Sequence, residues 1–440
     1  MDQYPLTSRQ KDPSGLARSP RHVVALALRI KGELRVDALQ GALDEVVERQ
    51  EALRTRLHYD ENDGTLGFQE VLPPRPVPLT VHDTPLPAGR ARDEMALEVH
   101  VALHDAELSF LATPSLRAEL YRFDDQDALL TLVTHHLFSD GWSSDVLRRE
   151  IAAGYRARVA GVPHTLPSPV PYRMFASWQQ EFLGSEKAAE CRRFWGRELA
   201  GVEMYTMPAD RPHGPGTRAP RSVVENFSID AGTFAGVTAS AARHRCSVWH
   251  VFLAAFMVLA EKVSGRTDIA LLTVNNGRQD EKFYHTIGFF TDFVPIRLAF
   301  GDCVTFRDLM LLARRASADS QRYRMSFDSV LDIFPELMKG AFDPLTLLPT
   351  LNYVRSPKAE SQAQFATRVE PVVPAEEVSA SYVRGAFIWT FLVLPSGEFR
   401  CVVEYEPDAI DATTVRRWGT EFVDLVQAIA DRPGQKWNVR

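Results

Sequence analysis

Clusters of proline constrain this chain more than any other feature of its sequence. Six prolines fall between Leu72 and Pro87, four between Pro163 and Pro171, and four between Pro208 and Pro220; a polar stretch from Arg355 to Ser379 holds three more. Proline has no backbone N–H and a fixed φ, so these stretches are poor helix interiors and poor central strands. We therefore predict four connections, with the one at 163–171 separating two halves of the chain.

Between these breaks the hydrophobic pattern switches between helical and strand spacing. Apolar residues recur at helical spacing from Asp37 to Leu53, and Asp37 with Gln40 resembles a capping box. This mixture predicts an α/β or α+β fold with two comparable halves. Further helices are expected at about Ser143 to Tyr155, Val248 to Val263 with Ser247 as N-cap, and Ala412 to Ala430; strands are expected at Ala118 to Phe123, Ala128 to Thr134, Ile269 to Val274, Phe293 to Leu298, Ala386 to Leu394 and Glu398 to Tyr405.

Charge and hydropathy argue against two classes of partner. The 440 residues include 50 basic and 57 acidic side chains, a net charge of −7, whereas a nucleic-acid-binding protein is typically basic. No apolar run reaches the roughly 18 residues that a membrane span needs, and the first residues lack the pattern of a signal peptide. We expect a cytoplasmic protein that binds neither nucleic acid nor membranes.

The four cysteines point to buried free thiols rather than to disulfides or metal ligands. Cys191, Cys246, Cys303 and Cys401 lie far apart in apolar surroundings, and no two of them have a metal-type spacing. We expect them to remain reduced, and we expect no metal site.

The segment from Leu132 to Ser143 is the strongest candidate for chemistry. Two adjacent histidines, His135 and His136, end a predicted strand, and an aspartate and a glycine follow after three residues. Loops that leave strand ends often carry catalytic groups, and histidine exchanges protons near neutral pH. Because neighbouring side chains on a strand point to opposite faces, one histidine is expected to be the working base and the other a packing or orienting residue.

Three other interpretations of the segment compete with this one. A single histidine on a strand is more often structural than catalytic. A metal site of His135, His136 and Asp140 is disfavoured because adjacent strand residues point apart. Ser143 is a poor nucleophile candidate, because Gly141-Trp142-Ser143-Ser144-Asp145 lacks the second glycine of a nucleophile elbow.

The sequence His135-His136-Leu137-Phe138-Ser139-Asp140-Gly141-Trp142-Ser143 resembles the signature of condensation domains of nonribosomal peptide synthetases, in the chloramphenicol-acetyltransferase-like superfamily. The resemblance covers nearly the whole chain, because further segments match in the family's order. These are Tyr4-Pro5-Leu6-Thr7, Gly32-Glu33-Leu34 through Arg49-Gln50-Glu51-Ala52-Leu53-Arg54-Thr55, Tyr172-Arg173-Met174-Phe175-Ala176-Ser177-Trp178, Phe194-Trp195, Asn276-Gly277-Arg278, Ile287-Gly288-Phe289-Phe290 and Phe327.

The resemblance implies roles at the reaction centre. His136 would be the general base or the group that positions the nucleophile, and the backbone amide of Gly141 would donate to the developing oxyanion. Asp140 would belong to the same catalytic set, but it would hold the loop in shape rather than accept the proton. Trp142 and Ser143 would line the substrate channel.

Three more residues are implied to support the site. His135 would pack behind His136, and Arg278 would pair with the carboxylate of Asp140 and keep it ionised. Arg54 is expected to hold the fold together rather than take part in chemistry.

The resemblance also implies an architecture and a reaction. Two acetyltransferase-like subdomains, 1–171 with the histidine motif and 172–440, would form a V with the active site in a tunnel between them. The enzyme would be a monomer that transfers an acyl, aminoacyl or peptidyl group from the phosphopantetheine thioester of a carrier protein to an amine. It would bind no cofactor of its own; its partners would be acyl or peptidyl carrier proteins and a small amine or alcohol acceptor.

Departures from the family pattern leave the substrates open. Lys11-Asp12-Pro13 follows Gln10 where the family usually has arginine-leucine-tryptophan, Met174 and Asp292 replace the usual aspartate and asparagine, and Ser326 replaces a usual proline. Epimerisation and heterocyclisation domains are disfavoured by their different histidine motifs. An ester-forming or coenzyme-A-dependent acyltransferase, or a non-catalytic carrier-docking domain, remain alternatives. The chain is expected to be a free-standing enzyme or one domain of a larger synthetase.

Overall fold

The computed structural model describes residues 3–11, 18–59, 67–103, 106–213, 222–355, 368–371, 386–394 and 396–437. Asp12, Pro13, Pro215, Pro220 and most of 355–379 lie outside this range. The helices are α1 (Ser8–Lys11), α2 (Val36–Arg49), α3 (Arg90–Ala102), α4 (Gly141–Ala160), α5 (Tyr172–Leu183), α6 (Glu186–Glu198), α7 (Ala231–Arg243), α8 (Val248–Ser264), α9 (Phe306–Arg322), α10 (Phe327–Leu331) and α11 (Ala412–Asp431). The strands are β1 (Gln3–Pro5), β2 (Val23–Lys31), β3 (Thr55–His58), β4 (Phe68–Val71), β5 (Leu79–Asp83), β6 (Leu116–Asp124), β7 (Asp127–His135), β8 (Met207–Pro208), β9 (Val223–Ile229), β10 (Asp268–Asn275), β11 (Asp292–Ala299), β12 (Thr346–Arg355), β13 (Arg368–Pro371), β14 (Ala386–Val393) and β15 (Phe399–Tyr405).

The chain groups into two compact units by its internal contacts. The resemblance implies a boundary between two subdomains after Pro171, and that boundary stays a prediction. The first unit contains Met1–Gly184, Asn276–Thr291 and Ala359–Ala375, and the second contains Ser185–Asn275, Asp292–Lys358 and Glu376–Arg440. A short segment from the later half of the sequence, 276–291, is therefore part of the unit that carries the histidine motif.

A five-stranded sheet in the order β13-β2-β7-β6-β5 forms the centre of the first unit. Strand β5 runs parallel to β6, and the other neighbours are antiparallel. The predicted hairpin of Ala118 to Phe123 and Ala128 to Thr134 is confirmed as β6 and β7. The expectation of a loop throughout 355–379 is wrong at β13, whose backbone pairs with β2.

Both faces of this sheet are covered, so β7 is buried along its whole length. Leu43 of α2 and Ile151 of α4 pack with Leu130 on one face. On the other face, Ala96 of α3 packs with Val133. A strand covered on both sides is expected to have a nearly continuous apolar sequence, as Ala-Leu-Leu-Thr-Leu-Val has here. This rigid central strand ends at the candidate site.

The capping box predicted for the first long helix is wrong. Helix α2 begins at Val36, and its N-cap Arg35 makes no side-chain capping bond. The Asp37 carboxylate instead accepts a hydrogen bond from Arg35 Nη2 at 2.6 Å. Gln40 donates to Asp44 Oδ1 at 2.9 Å. The helix is therefore stabilised by the burial of its apolar face, which includes Leu39 and Val46, rather than by a cap.

The second unit contains a sheet in the order β11-β10-β12-β14-β15-β9, with β8 paired to β12. The predicted strands at Ile269 to Val274 and Phe293 to Leu298 are confirmed as the antiparallel pair β10 and β11, and the predicted final hairpin as β14 and β15. Helix α8 is buried among these strands and α11, and it begins after Ser247 as predicted.

Two further expectations concern the cysteines and membranes. The four cysteines are free; Cys191 and Cys401 are buried as expected, whereas Cys246 and Cys303 are only half-buried. No single helix in the described ranges is long and apolar enough to cross a membrane; α7 and α8 meet the length and composition requirements only as a pair that is bent by 96°.

Candidate active site

The histidine motif forms a strand, a tight turn and a helix start. Strand β7 ends at His135, residues His136–Phe138 form one short 3-10 helix, and α4 begins at Gly141. Asp140 is the N-cap of α4, because its Oδ1 accepts the backbone N–H of Ser143 at 2.8 Å. This bond satisfies one of the free amides of the first helical turn. The spacing between the histidines and the aspartate is thus the length of one turn between strand and helix.

The Asp140 carboxylate is fully buried and surrounded by donors. Arg278 Nη1 donates to Oδ2 at 2.9 Å and Nη2 to Oδ1 at 3.2 Å, and the Ser143 hydroxyl donates to Oδ1 at 2.7 Å. The backbone amides of Phe290 and Thr291 donate to Oδ2 at 3.1 and 3.2 Å. Burial raises the pKa of the Asp140 carboxyl, but Arg278 and the donors from Ser143 outweigh this and hold the pKa below its usual range. Asp140 is therefore ionised at neutral pH.

The side chain of Arg278 is fully buried in the same network. Its Nη2 also donates to Ser143 Oγ and to the carbonyl of Thr286, both at 3.0 Å. The guanidinium lies over the ring of Phe290, 4.1 Å from the centroid. Because these contacts hold the guanidinium of Arg278 in place, its two donors to Asp140 fix the carboxylate in one orientation.

Two glycines allow the 276–291 segment to approach the site closely. Gly277 has φ +69, and a Cβ there would lie 1.7 Å from the carbonyl oxygen of Phe290. A Cβ on Gly288 would lie 2.2 Å from the ring of Tyr172. The Tyr172 hydroxyl donates to the carbonyl of Phe289 at 2.7 Å and so fastens the segment from the other side. Close backbone approach of this kind requires glycine.

The His136 side chain is half-buried between two rings. The ring of His22 stacks on it with centroids 4.5 Å apart at 24°, and the ring of Phe289 lies 4.5 Å away at 54°. Its Nδ1 is buried without a hydrogen-bond partner on another described residue, and the side chain forms a hydrogen bond to its own backbone. Burial, followed by the charge of His22, lowers the pKa of His136 well below its usual range. The imidazole is therefore neutral at pH 7 and is able to accept a proton.

His135 is fully buried and forms two hydrogen bonds to the backbone. Its Nε2 lies 3.0 Å from the carbonyl of Ser19, and its Nδ1 accepts the backbone N–H of Leu137 at 3.2 Å. These two partners assign the ring proton to Nε2. Burial lowers the pKa of His135 to about 4. His135 is thus a neutral side chain that fixes the turn after β7.

The remaining motif residues occupy different environments. Gly141 is exposed at the first position of α4, where backbone N–H groups have no acceptor within the helix. Trp142 is half-buried, and its Nε1 donates to the carbonyl of Tyr284 at 3.1 Å. Ser143, expected beside a substrate channel, is fully buried, and its hydroxyl accepts from the amide of Gly288 at 3.1 Å as part of the Asp140 network.

The structure also identifies residues that the sequence reasoning missed. His22 lies beside the motif because the next residue, Val23, pairs with His135 between β2 and β7. The Gln10 side chain donates to the carbonyl of Leu137 at 3.3 Å. Prediction of β2 and of its partner would have located His22, but the partner strand is about a hundred residues away.

Arg54 has the structural role that was expected of it. Its guanidinium donates to the backbone carbonyls of Val47, Leu72 and Glu48 at 3.2, 2.6 and 3.4 Å. These bonds join the end of α2 to the chain after β4.

No metal-binding group of three or more His, Cys, Asp and Glu side chains occurs in the described part of the chain. The arrangement around His136 thus offers a neutral imidazole, a helix-start amide and a fixed, ionised carboxylate that is fully occupied by donors.

Comparison with known proteins assigns a family to this arrangement. The family model described as "Condensation domain" matches residues 2–439. The chain is 31% identical to the probable nonribosomal peptide synthetase CymA of Salinispora arenicola, over 95% of the chain and 5% of that protein. It is 27% identical to chondramide synthase cmdD of Chondromyces crocatus, over 97% of the chain and 11% of that protein. The chain therefore spans only a small part of the length of these two relatives.

Solved structures share its fold. The SgcC5 protein of Streptomyces globisporus matches with a TM-score of 0.87 and 25% identity, covering 98% of this chain and all of that one. The X-domain from teicoplanin biosynthesis matches with a TM-score of 0.82 and 22% identity over 99% of this chain and 97% of that one. The starter condensation domain of rhizomide synthetase matches with a TM-score of 0.80 and 15% identity, covering 100% of this chain and 97% of that one. The predicted mixed α/β fold of the superfamily is confirmed.

Proposed function

Because the chain belongs to the condensation-domain family of nonribosomal peptide synthetases, we propose that it transfers an acyl, aminoacyl or peptidyl group from a carrier-protein phosphopantetheine thioester to an amine. Amide-bond formation is the general reaction of this family, and its members act on substrates held by carrier proteins. For this chain, the proposed donor is a carrier-bound thioester and the proposed acceptor is an amine. The thioester already activates the acyl group, so the proposed reaction needs no resident cofactor.

The observation that carries the proposal is the state of His136. The imidazole is neutral, it is held between the rings of His22 and Phe289, and it directly follows the central strand of its unit. Asp140 does not compete for the proton, because Arg278 and the surrounding donors keep it ionised. An intact set of this kind favours catalysis over a purely structural role.

In the proposed step, the amine nitrogen attacks the thioester carbonyl carbon. The C–N bond forms as the C–S bond breaks, and the pantetheine thiol leaves with a proton. His136 accepts the proton that the amine loses and passes it to the leaving thiolate, or it holds the amine by a hydrogen bond while the proton passes to the thiolate directly. The backbone N–H of Gly141 donates to the carbonyl oxygen as negative charge develops on it. Because its pKa is lowered, His136 is a weak base, so we assign much of the rate to positioning.

A hydroxyl acceptor is the second candidate, and one observation favours it. SgcC5, with a TM-score of 0.87 to this chain, was crystallised with an aromatic 1,2-ethanediol. The same site chemistry would join the acyl group to an alcohol oxygen and form an ester. The test must therefore offer both kinds of acceptor.

The test is detection of acyl transfer by intact mass. An acyl-loaded carrier protein, and separately the matching acyl-coenzyme A, is incubated with a panel of amines and alcohols. Wild type is compared with His136→Ala and with His244→Ala, a control that removes another half-buried histidine at the end of α7. Carrier binding is measured in parallel by calorimetry.

Each outcome is informative. Amide product with wild type and His244→Ala, but not with His136→Ala, supports the proposal. Ester product alone selects the second candidate, and product from acyl-coenzyme A alone contradicts the carrier-bound donor. Equal product with His136→Ala contradicts the role of His136. Carrier binding without any product contradicts catalysis and favours a docking role.

A further inference from the structure

We propose that His22 is a positioning residue for the reaction: its ring holds the imidazole of His136 by stacking, and its carbonyl holds the backbone of His136 by a hydrogen bond. This inference rests on the proposed function, because it concerns the group that we place at the reacting atoms. His22 lies outside the histidine motif, 114 residues before His136 in the numbering.

Two separate contacts join the residues. The imidazole rings stack with centroids 4.5 Å apart at 24°, and the carbonyl of His22 accepts the backbone N–H of His136 at 2.8 Å. On its other side, the His136 ring meets Phe289 at 4.5 Å and 54°. The imidazole of His136 therefore lies in a clamp formed by the rings of His22 and Phe289. The carbonyl of His22 also fixes the backbone of His136.

The clamp matters because no carboxylate orients the imidazole of His136 among the described contacts, and its one hydrogen bond is to its own backbone. A base is commonly oriented by a hydrogen bond from its second nitrogen to a carboxylate or carbonyl. Here Nδ1 of His136 is buried without a partner on another described residue, and the nearby carboxylate of Asp140 is occupied by Arg278. Beside the hydrogen bond to its own backbone, the rings of His22 and Phe289 are therefore what select the rotamer of the His136 side chain.

His22 is itself held firmly enough to serve as a support. Its backbone N–H donates to the carbonyl of Ser19 at 2.9 Å. The next residue, Val23, begins β2 and pairs with His135 at the end of β7. The pairing of the two strands therefore brings the two rings to the same place, on rigid elements rather than on a loop tip.

The stack also affects the charge of the working ring. The groups that act on His136 are His22, Arg9 and Asp140, and His135 lies edge-on to His22 at 6.2 Å. Charges on His22 and Arg9 disfavour protonation of His136, whereas Asp140 favours it. Two imidazolium rings stacked at 4.5 Å would repel, so protonation of His22 opposes protonation of His136. A phenyl ring at position 22 would preserve the stacking and remove this repulsion.

The test separates these two effects with His22→Phe and His22→Ala. His22→Phe is expected to keep kcat within about threefold of wild type, and His22→Ala to lower kcat about tenfold to a hundredfold with little change in KM for the acceptor, as expected for a misoriented catalytic group. Titration of isotope-labelled His136 by NMR is expected to show a higher pKa in both variants than in wild type. The control is His58→Ala, which removes a histidine stacked on Phe68 at 4.4 Å outside the site.

The outcomes distinguish this inference from the proposed function. If wild type forms no product, the proposed function fails, and the NMR titration alone decides whether His22 acts on His136. If wild type is active while both His22 variants keep its kcat and its His136 titration, the inference is overturned. An equal loss of kcat in His22→Phe and His22→Ala, with an unchanged titration, also overturns it, because only a general structural role would then remain. Thermal unfolding of each variant verifies that it is folded.

Discussion

Arg278 donates to both carboxylate oxygens of Asp140 across 138 residues of sequence, and both side chains are fully buried. The pair brings the 276–291 segment to the start of α4. A buried pair of opposite charges stabilises a fold only weakly in itself, but loss of either partner leaves a charge that has neither water nor a counter-ion. The pair therefore determines whether the loop that follows His136 keeps its shape.

We expect Asp140→Ala to lower the free energy of unfolding by about 3–5 kcal/mol, because Arg278 would remain buried and unpaired. Urea denaturation of Asp140→Ala, Arg278→Met and the double variant measures this. The double variant should lose less than the sum of the single losses, since it leaves no isolated charge. Additive losses, or a single loss below about 1 kcal/mol, would contradict the pairing.

Gly288 and Gly141 should respond differently when each is replaced by alanine. Gly288→Ala would place Cβ 2.2 Å from the ring of Tyr172, and such overpacking typically costs about 1–3 kcal/mol. Gly141→Ala meets no atom within 4 Å at a helix start, so its stability should stay within about 1 kcal/mol of wild type. The melting temperatures of the two variants measure this difference. A Gly288→Ala variant as stable as wild type would show that the 276–291 segment does not lie against the ring of Tyr172.

His135 predicts an acid dependence of stability. Its pKa is about 4 in the folded chain and about 6.5 when unfolded. Above pH 6.5 its full contribution is present; as the pH falls from about 6.5 towards about 4, the unfolded chain binds the proton first and stability is lost. The slope from one such group is at most about 1.4 kcal/mol per pH unit.

We expect His135→Gln to flatten this slope between pH 4.5 and 6.5, by about one proton or less. The difference between the variant and wild type isolates His135, because the other histidines titrate in both. Chemical denaturation at several pH values measures the slopes. Parallel slopes would show that His135 is protonated equally in the folded and unfolded chain.

A second buried charge cluster lies away from the site. The Asp127 carboxylate accepts from Arg29 Nη2 at 2.6 Å, Lys31 Nζ at 2.7 Å and Arg92 Nη1 at 3.0 Å, and it joins α3 to the sheet. We expect Asp127→Asn to cost up to about 3–5 kcal/mol, since buried Arg29 and Arg92 would keep only the exposed partners Asp93 and Asp124. Glu94→Gln, in the exposed Arg90–Glu94 pair, should cost about 0.5 kcal/mol or less and serves as the control. Similar losses from both would contradict the described burial.

Much of the local structure follows from the sequence. The apolar run before His135 predicts β7, and the helical pattern after Ser143 predicts most of α4. The strongly apolar stretch after Ser247 predicts α8 almost to the residue. Each of these depends on periodicity, burial and caps that act within a few residues, so a single segment is sufficient to predict it.

Which distant residues meet at the site depends on the tertiary structure. The sequence marks His136 and Asp140, and a family resemblance pairs Asp140 with Arg278. Neither indicates that His22 stacks on His136, or that the Ser143 hydroxyl is buried against Asp140 instead of lining a channel. These contacts depend on the pairing of β2 with β7 and on the return of the 276–291 segment. Such long-range contacts form only when the whole chain closes upon itself, so no local pattern encodes them.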